Sequence, residues 1–330
     1  MNQSPIFILG PHKSGTSLLR NIFDGHSDLF VIPIEAHFFQ HLGYWIDYSI
    51  RSQKNLNLND NEILNNFVDW IKNSNTVPGG KSDSDTRGFW DVELFKTELQ
   101  RLYNNLDTIS SKKFIEIYIE TMYKSLYSKK LSDDVRVVEK SVDHTEFAIQ
   151  LKKIFPKAKF IHIIRNPYSN LVSIRKFKSN TGYPFMRSII ESMNNNYYFL
   201  EKNKEVIDED YYILKYEDFV SDSNNKIKEL VSFLNLEIED ILYKPTVQGE
   251  LWGGNSTSDK KFSGISSDRL GKWKSEIYPF EIALINKKID HFLEEYGYEY
   301  YKKNDNIYHK NKDENIKCYI ANRLYYKYFL

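Results

Sequence analysis

The sequence predicts an α/β fold: a three-layer sandwich with a central parallel sheet and helical insertions. Two observations carry this expectation. Ile6-Phe7-Ile8-Leu9 and Lys159-Phe160-Ile161-His162-Ile163-Ile164 are short, nearly continuous apolar runs, the pattern of strands buried on both faces. Each run empties through a loop into a segment with helical spacing, which is the βα unit from which parallel sheets are assembled. At 330 residues, with 41% apolar and 15% aromatic side chains, the chain can bury the core of one large domain.

In chain order, the first unit spans residues 1 to about 31. After the apolar run comes the glycine-bounded loop Gly10-Pro11-His12-Lys13-Ser14-Gly15, and Leu18, Leu19, Ile22 and Phe23 then recur at helical spacing. The loop nearly spells the P-loop of nucleotide triphosphatases, G-x-x-x-x-G-K-[ST]. Thr16 stands where the lysine belongs, and the loop's own lysine is Lys13. Backbone N–H groups and the following helix can still face an anion, but the residue that handles a γ-phosphate is missing. A phosphorylated donor other than a triphosphate is expected; the alternative is a tight turn and nothing more.

Residues of about 36–130 carry several helical patterns broken by the turn-rich stretch Thr76 to Asp83. Trp45, Tyr48, Trp70, Phe89 and Trp90 in this insertion either wall an acceptor site or belong to the core. The sheet resumes at Val135-Arg136-Val137-Val138. After the strand ending at Ile164, Arg165-Asn166-Pro167 opens a helix from Tyr168 to Lys178, with proline suited to its first position and Ser173 on its second turn. Arg165 and Ser173 can converge on one phosphate, the arginine as a planar fork. Lys152, Lys153, Lys157, Lys159, Arg165, Arg175, Lys176 and Lys178 are expected to crowd that phosphate site or to form a solvated face. Beyond Tyr211-Tyr212-Ile213-Leu214, a helix ends near Phe233-Leu234. The polar loop Gly253 to Ser267 is expected to be mobile and able to close over a ligand. An extension of about 302–330 reads as an amphipathic helix or a dimer contact.

The two phosphate motifs together resemble those of sulfotransferases that use 3′-phosphoadenosine 5′-phosphosulfate (PAPS). Lys13-Ser14-Gly15-Thr16-Ser17 matches that family's K-[ST]-G-T-[ST], and Arg165, Pro167 and Ser173 match its R-x-P-x-x-x-x-x-S. Glu139-Lys140-Ser141, Tyr216-Glu217-Asp218-Phe219, Gly271-Lys272-Trp273 and Gly297-Tyr298 are similar to further family segments, in the family's order. The resemblance implies a P-loop-NTPase-like fold in which His12, Lys13, Ser14, Gly15, Thr16 and Ser17 hold the 5′-phosphosulfate and Arg165 and Ser173 the 3′-phosphate. Tyr216 and Lys272 complete the donor site. It also implies Lys13 at the leaving oxygen and Lys140 at the sulfonate or acceptor, with no metal, and a product, PAP, that retains both phosphates.

Glu35-Ala36-His37-Phe38-Phe39 resembles the E-x-H-F-F segment of heparan sulfate O-sulfotransferases and, more distantly, a segment of tyrosylprotein sulfotransferases. In those families the glutamate is the general base, which implies that role for Glu35 and a glycan or small hydroxyl compound as acceptor. His37 reads more readily as a packed aromatic-cluster histidine. Soluble aryl sulfotransferases instead place a histidine after the second lysine; Val142 stands there, and His144 is the remaining histidine alternative.

Composition narrows the partners. Lys+Arg and Asp+Glu both total 45, so no global basic field points to nucleic acid. Cys318 is the sole cysteine, which excludes an intramolecular disulfide and a thiolate metal site. No apolar run approaches the roughly 20 residues that a bilayer requires, and a cytoplasmic enzyme, with a homodimer possible, is the expectation. Two rival classes remain: a P-loop-like kinase or NTPase, which would need an acidic magnesium ligand where Arg165 follows its strand, and a noncatalytic nucleotide-binding scaffold.

Overall fold

The computed structural model describes residues 4–47, 51–76, 91–105, 110–179, 182–254, 264–302 and 310–329. The chain begins with β1 (Ile6–Leu9), α1 (Thr16–Ile22), β2 (Leu29–Val31) and α2 (Phe38–His41). A hairpin of β3 (Tyr44–Asp47) and β4 (Ser52–Asn55) precedes α3 (Asp60–Thr76), α4 (Val92–Asn104) and α5 (Ser111–Tyr127). Then follow β5 (Arg136–Lys140), a 3-10 turn over Val142–Phe147, α6 (Ala148–Ile154), β6 (Lys159–Ile164), α7 (Pro167–Lys178) and α8 (Met186–Ile207). The remainder is β7 (Tyr211–Lys215), α9 (Tyr216–Ser221), α10 (Ser223–Leu234), the short hairpin β8 (Thr246–Val247) and β9 (Glu250–Leu251), and α11 (Trp273–Glu276), α12 (Pro279–Lys288), α13 (Asp290–Glu295) and α14 (Ile316–Phe329).

Five strands form one parallel sheet in the order β2-β5-β1-β6-β7. Side-chain alternation along β1 explains the three layers. Ile6 and Ile8 enter a core with Leu19, Ile22 and Phe23 of α1 and its neighbour and Leu230 of α10. Phe7 and Leu9 enter a second core with Phe114 of α5, Leu151 of α6 and Leu171 of α7 on the other face. The expected P-loop-like α/β fold is therefore the observed one.

Between β2 and β5 the chain is largely helical. Phe95, Leu99 and Tyr103 lie buried at i, i+4 and i+8 on α4, and Asp91 caps that helix by accepting from the Leu94 N–H at 2.8 Å. Ser110 caps α5 in the same way through the Lys113 N–H at 3.2 Å. The β3–β4 hairpin has no counterpart in the sequence reading, because β4 is wholly exposed and carries no apolar alternation. Trp45 is 47% exposed and not core, whereas Trp70 packs partly buried against it. Tyr48, Phe89, Trp90 and Val77 to Asp83 lie outside the described residues, as does most of the loop from Gly253 to Ser267.

In the C-terminal extension, α14 packs on the start of α8. Asn322 accepts from the Met186 N–H at 2.9 Å and donates to Pro184 O and Glu314 Oε1. No described helix is long and apolar enough to cross a membrane.

Candidate active site at the carboxyl edge of the sheet

Parallel register brings the ends of four strands to one edge: Ile8 is level with Lys140, Leu9 with His162, and Ile164 with Lys215. The glycine loop after β1, Lys140 at the end of β5, Arg165 after β6 and Tyr216 after β7 all leave from that edge, where open α/β sheets bind ligands.

The anion loop follows β1 and is built around two glycines. Gly10 has φ 145°, and a β-carbon there would lie 2.4 Å from the carbonyl oxygen of Ile163. Gly15 has φ 111°, and a β-carbon would lie 2.6 Å from the Tyr216 ring. Neither close approach is open to a larger residue. Lys13 also holds a left-handed φ of 63°, a costly conformation for a non-glycine residue. The Ser14 N–H closes the loop on Pro11 O at 3.2 Å, and Gly10 N–H donates to Thr145 Oγ1 at 3.3 Å.

The segment after β6 clasps this loop. Arg165 Nη1 donates to Lys13 O at 3.0 Å, and Asn170 Nδ2, from α7, donates to His12 O at 2.8 Å. The Arg165 guanidinium lies 4.6 Å from the centre of the Tyr216 ring, so Tyr216 is wedged between Gly15 and Arg165. Asn166 caps α7 through the N–H groups of Tyr168 and Ser169, with Pro167 at the first position as expected. Glu217 accepts from the Asn166 N–H at 3.0 Å and the Tyr298 hydroxyl at 3.1 Å, tying two family segments together.

Among the described residues, Ser14 Oγ and Arg165 Nε are buried without a hydrogen-bond partner. Orphaned donors of this kind are costly unless something completes them, and their chemistry fits phosphate oxygens. Lys13 Nζ lies 5.1 Å from the centre of the Phe177 ring of α7, and Ser173 is half-buried on the second turn of that helix. His12 and Lys272 are exposed, Lys272 next to Trp273, whose ring stacks on Tyr168 at 5.2 Å.

Of the eight cations expected to crowd the phosphate site or to form a solvated face, Lys153, Lys157, Lys176 and Lys178 are exposed, and four of the eight pair with carboxylates. Lys152 and Lys159 both pair with Asp210. Lys159 opens β6, so about 20 Å of extended chain, at 3.3 Å per residue, separates it from Arg165. Arg175 pairs with buried Glu281 at 3.2 Å, and Lys176 with Glu276 at 2.6 Å.

On the other side of the loop, β5 ends in fully buried Lys140, whose ammonium bonds Glu35 Oε1. Trp70 Nε1 fixes the same residue by donating to Glu35 O at 2.8 Å. Glu35 Oε2 lies 3.3 Å from His37 Nε2, and His37 Nδ1 lies 2.6 Å from Asp143 Oδ2. Burial opposes the charged form of His37, but the Asp143 hydrogen bond and the charges of Asp143, Glu35 and Glu139 outweigh it and raise its pKa. Burial likewise opposes ionisation of Asp143, yet the bond to His37 and the charges of His37 and His12 hold its carboxyl below the ordinary value. His37 is also packed edge-on against Trp70, at 4.8 Å between ring centres.

His144 has a different setting. It is fully buried, its Nδ1 lies 2.7 Å from Glu139 Oε2, and its Nε2 accepts from the Phe38 N–H at 3.2 Å. Both ring nitrogens are engaged, so no lone pair is left for an acceptor proton. Asp143, Asn170 and Thr145 did not stand out in the sequence, and Trp70 did so only as an acceptor-wall or core aromatic, not as a partner of Glu35. Their partners are backbone atoms or side chains about 35 to 158 residues away, and no local pattern marks such contacts.

A three-layer parallel-sheet fold with a glycine loop at its carboxyl edge and Thr16 in place of the P-loop lysine defines a P-loop-like class. Within it the assignment is specific: residues 5–240 match the sulfotransferase family, and the chain belongs to that family. Its fold is similar to the sulfotransferase domain from the curacin biosynthetic pathway, with a TM-score of 0.57 and 19% identity over 90% of this chain and 98% of that one. The sulfotransferase domain of the Synechococcus PCC 7002 olefin synthase has a TM-score of 0.54 and 17% identity, over 90% and 96% of the two chains. No curated protein sequence matches.

Proposed function

We propose that the chain is a single-domain, PAPS-dependent sulfotransferase acting on an acceptor hydroxyl, with Glu35 as general base. The observation that carries this reading is the placement of the Glu35–Lys140 pair one strand away from the anion loop, on the shared carboxyl edge of β1 and β5. In this reading Lys13, Ser14, Gly15, Thr16 and Ser17 hold the 5′-phosphosulfate, with His12 at the loop's exposed face. Arg165 and Ser173 hold the 3′-phosphate, beside Tyr216 and Lys272. When bound, PAPS supplies the sulfuryl group, and no metal is needed to bridge phosphates. Lys13 neutralises charge at the leaving oxygen. The Lys140 ammonium carries three donors, so it can keep Glu35 and address an anionic oxygen at once. Glu35 takes the acceptor proton.

Support for a sugar hydroxyl as acceptor comes from Glu35-Ala36-His37-Phe38-Phe39 and its likeness to glycan-modifying enzymes. The test has two arms. Calorimetry should give micromolar or tighter binding of PAP and much weaker binding of ATP; the reverse preference returns the kinase reading. Sulfur-labelled PAPS offered with a panel of polysaccharides, glycolipids, tyrosine peptides and small alcohols should label a glycan, and labelling of tyrosine alone overturns the acceptor assignment.

A further inference from the structure

Glu35 is the first of three groups in a row. Its Oε1 is held by Lys140, so Oε2 is the oxygen that faces onward. A base in that position gains from a second group able to draw the proton onward. Glu35 Oε2 faces such a group: His37 Nε2 lies 3.3 Å away. Behind it, His37 Nδ1 lies 2.6 Å from Asp143 Oδ2. A carboxylate only accepts, so Nδ1 carries the proton, and in the neutral ring the lone pair sits on Nε2 toward Glu35.

Resting on the reading of Glu35 as base, we propose that His37 receives the proton from Glu35, and that Asp143 is the positioning residue that holds the ring in the tautomer able to do so. The acceptor's O–H bond breaks as its oxygen bonds sulfur and the donor's bridging S–O bond opens. The proton passes to Glu35 and then from Oε2 to Nε2, which restores a carboxylate at 35 and leaves an imidazolium at 37. Asp143 stabilises that imidazolium, and the His37 side chain, 17% exposed, can return the proton to water.

Three further observations agree. His37 adopts a left-handed φ of 46°, uncommon for a non-glycine residue, and its N–H is fixed on Ser141 Oγ at 3.1 Å. Trp70 holds both partners, its ring edge-on to His37 and its Nε1 on Glu35 O. The groups facing His37 favour its charged form: Glu35 in front, Asp143 on the 3-10 turn and Glu139 on β5. Opposing them, His41 on α2 is held neutral by burial, its pKa pushed down to about 3, and His144 is committed to Glu139 and Phe38.

The experiment follows release of labelled sulfate from PAPS, with water in the acceptor's place, across pH 5 to 9, and the imidazole NMR titration of His37 in the PAP complex. Turnover in the parent should rise with pH through the His37 titration, because the relay needs a neutral ring. Asp143→Asn should move both the acid limb and the NMR titration to lower pH and reduce the plateau about tenfold. His37→Asn, which tolerates the left-handed backbone, should remove that limb and lower the plateau by a similar factor. PAP affinity should change less than about twofold in either. An Asp143→Asn limb that stays at the parent's pH, or a parental plateau in His37→Asn, overturns the relay. Glu35→Gln separates the two readings: its turnover should fall by roughly 10²–10⁴. Near-parental turnover there removes Glu35 as base, whereas collapse there beside an unaffected His37→Asn removes only the relay.

Discussion

Arg165 offers the sharpest test of donor binding, because it has two jobs that can be separated. Its Nη1 holds Lys13 O at 3.0 Å and its plane covers Tyr216, so it shapes the loop. Its buried, unpartnered Nε is the donor assigned to the 3′-phosphate. Removing the loop contacts in Arg165→Ala should cost about 1–2 kcal/mol, from one neutral-acceptor bond and one cation–π contact. Removing a charge-assisted phosphate bond should cost about 1.5–3 kcal/mol more. PAP has both phosphates and adenosine 5′-phosphate lacks the second. Calorimetry with both nucleotides therefore isolates the phosphate contribution as a differential loss of roughly 10- to 150-fold for PAP. Arg165→Lys keeps the charge but not the fork, and should fall between parent and alanine. Equal losses for the two nucleotides would show that Arg165 only braces the loop, and unchanged PAP affinity would sink the donor assignment altogether.

Three other outcomes are expected. Sulfuryl transfer should survive EDTA, since Thr16 replaces the lysine of a magnesium-using loop; loss in chelator restored by magnesium would revive the kinase reading. Gly15→Ala should lower thermal stability and weaken PAP at least tenfold, because the new β-carbon meets Tyr216 at 2.6 Å with φ at 111°; a parental melting temperature and affinity would refute the wedge. His162 is buried and hydrogen-bonded to Tyr211 and Asn196, and burial pushes its pKa down to about 3. Below pH 6.5 the unfolded chain takes up a proton that the folded one refuses, so stability should fall by about 2 kcal/mol between pH 6.5 and 5. Urea midpoints whose pH slope is unchanged in His162→Gln would contradict this.

What could be read from the sequence was what is local. β1, β6 and α7 follow from apolar runs, a proline at the first helical position and helical spacing, all within a few residues. β2 has only three residues and β3–β4 an exposed face, so neither carries a periodic signal long enough to detect. The motif residues could be named because their spacing is local too. Their mutual contacts could not: Arg165 to Lys13 spans 152 residues, Asn170 to His12 spans 158, and His37 to Asp143 spans 106. Only the register of β1 between β5 and β6 creates those distances. Lys159 and Arg165 make the same point in reverse, since neighbours in sequence at opposite ends of one strand are far apart in space.

The two halves of the site are joined by the 3-10 turn after β5. Thr145 Oγ1 accepts from the Gly10 N–H at the root of the anion loop, while Asp143, two residues earlier, holds His37 beside Glu35. The charge of His12 in that loop also bears on Asp143. The turn is itself anchored: Asn203 Nδ2 donates to Thr145 O at 2.7 Å and Asn196 Nδ2 to Thr145 Oγ1 at 3.2 Å, both from α8. A six-residue turn braced by a 22-residue helix thus sets the loop and the Glu35–His37 pair against a common support. In-line transfer depends on the relative placement of donor and base more than on either alone. The buried asparagines of α8, which no motif includes, belong to that placement as much as the residues of the motifs do.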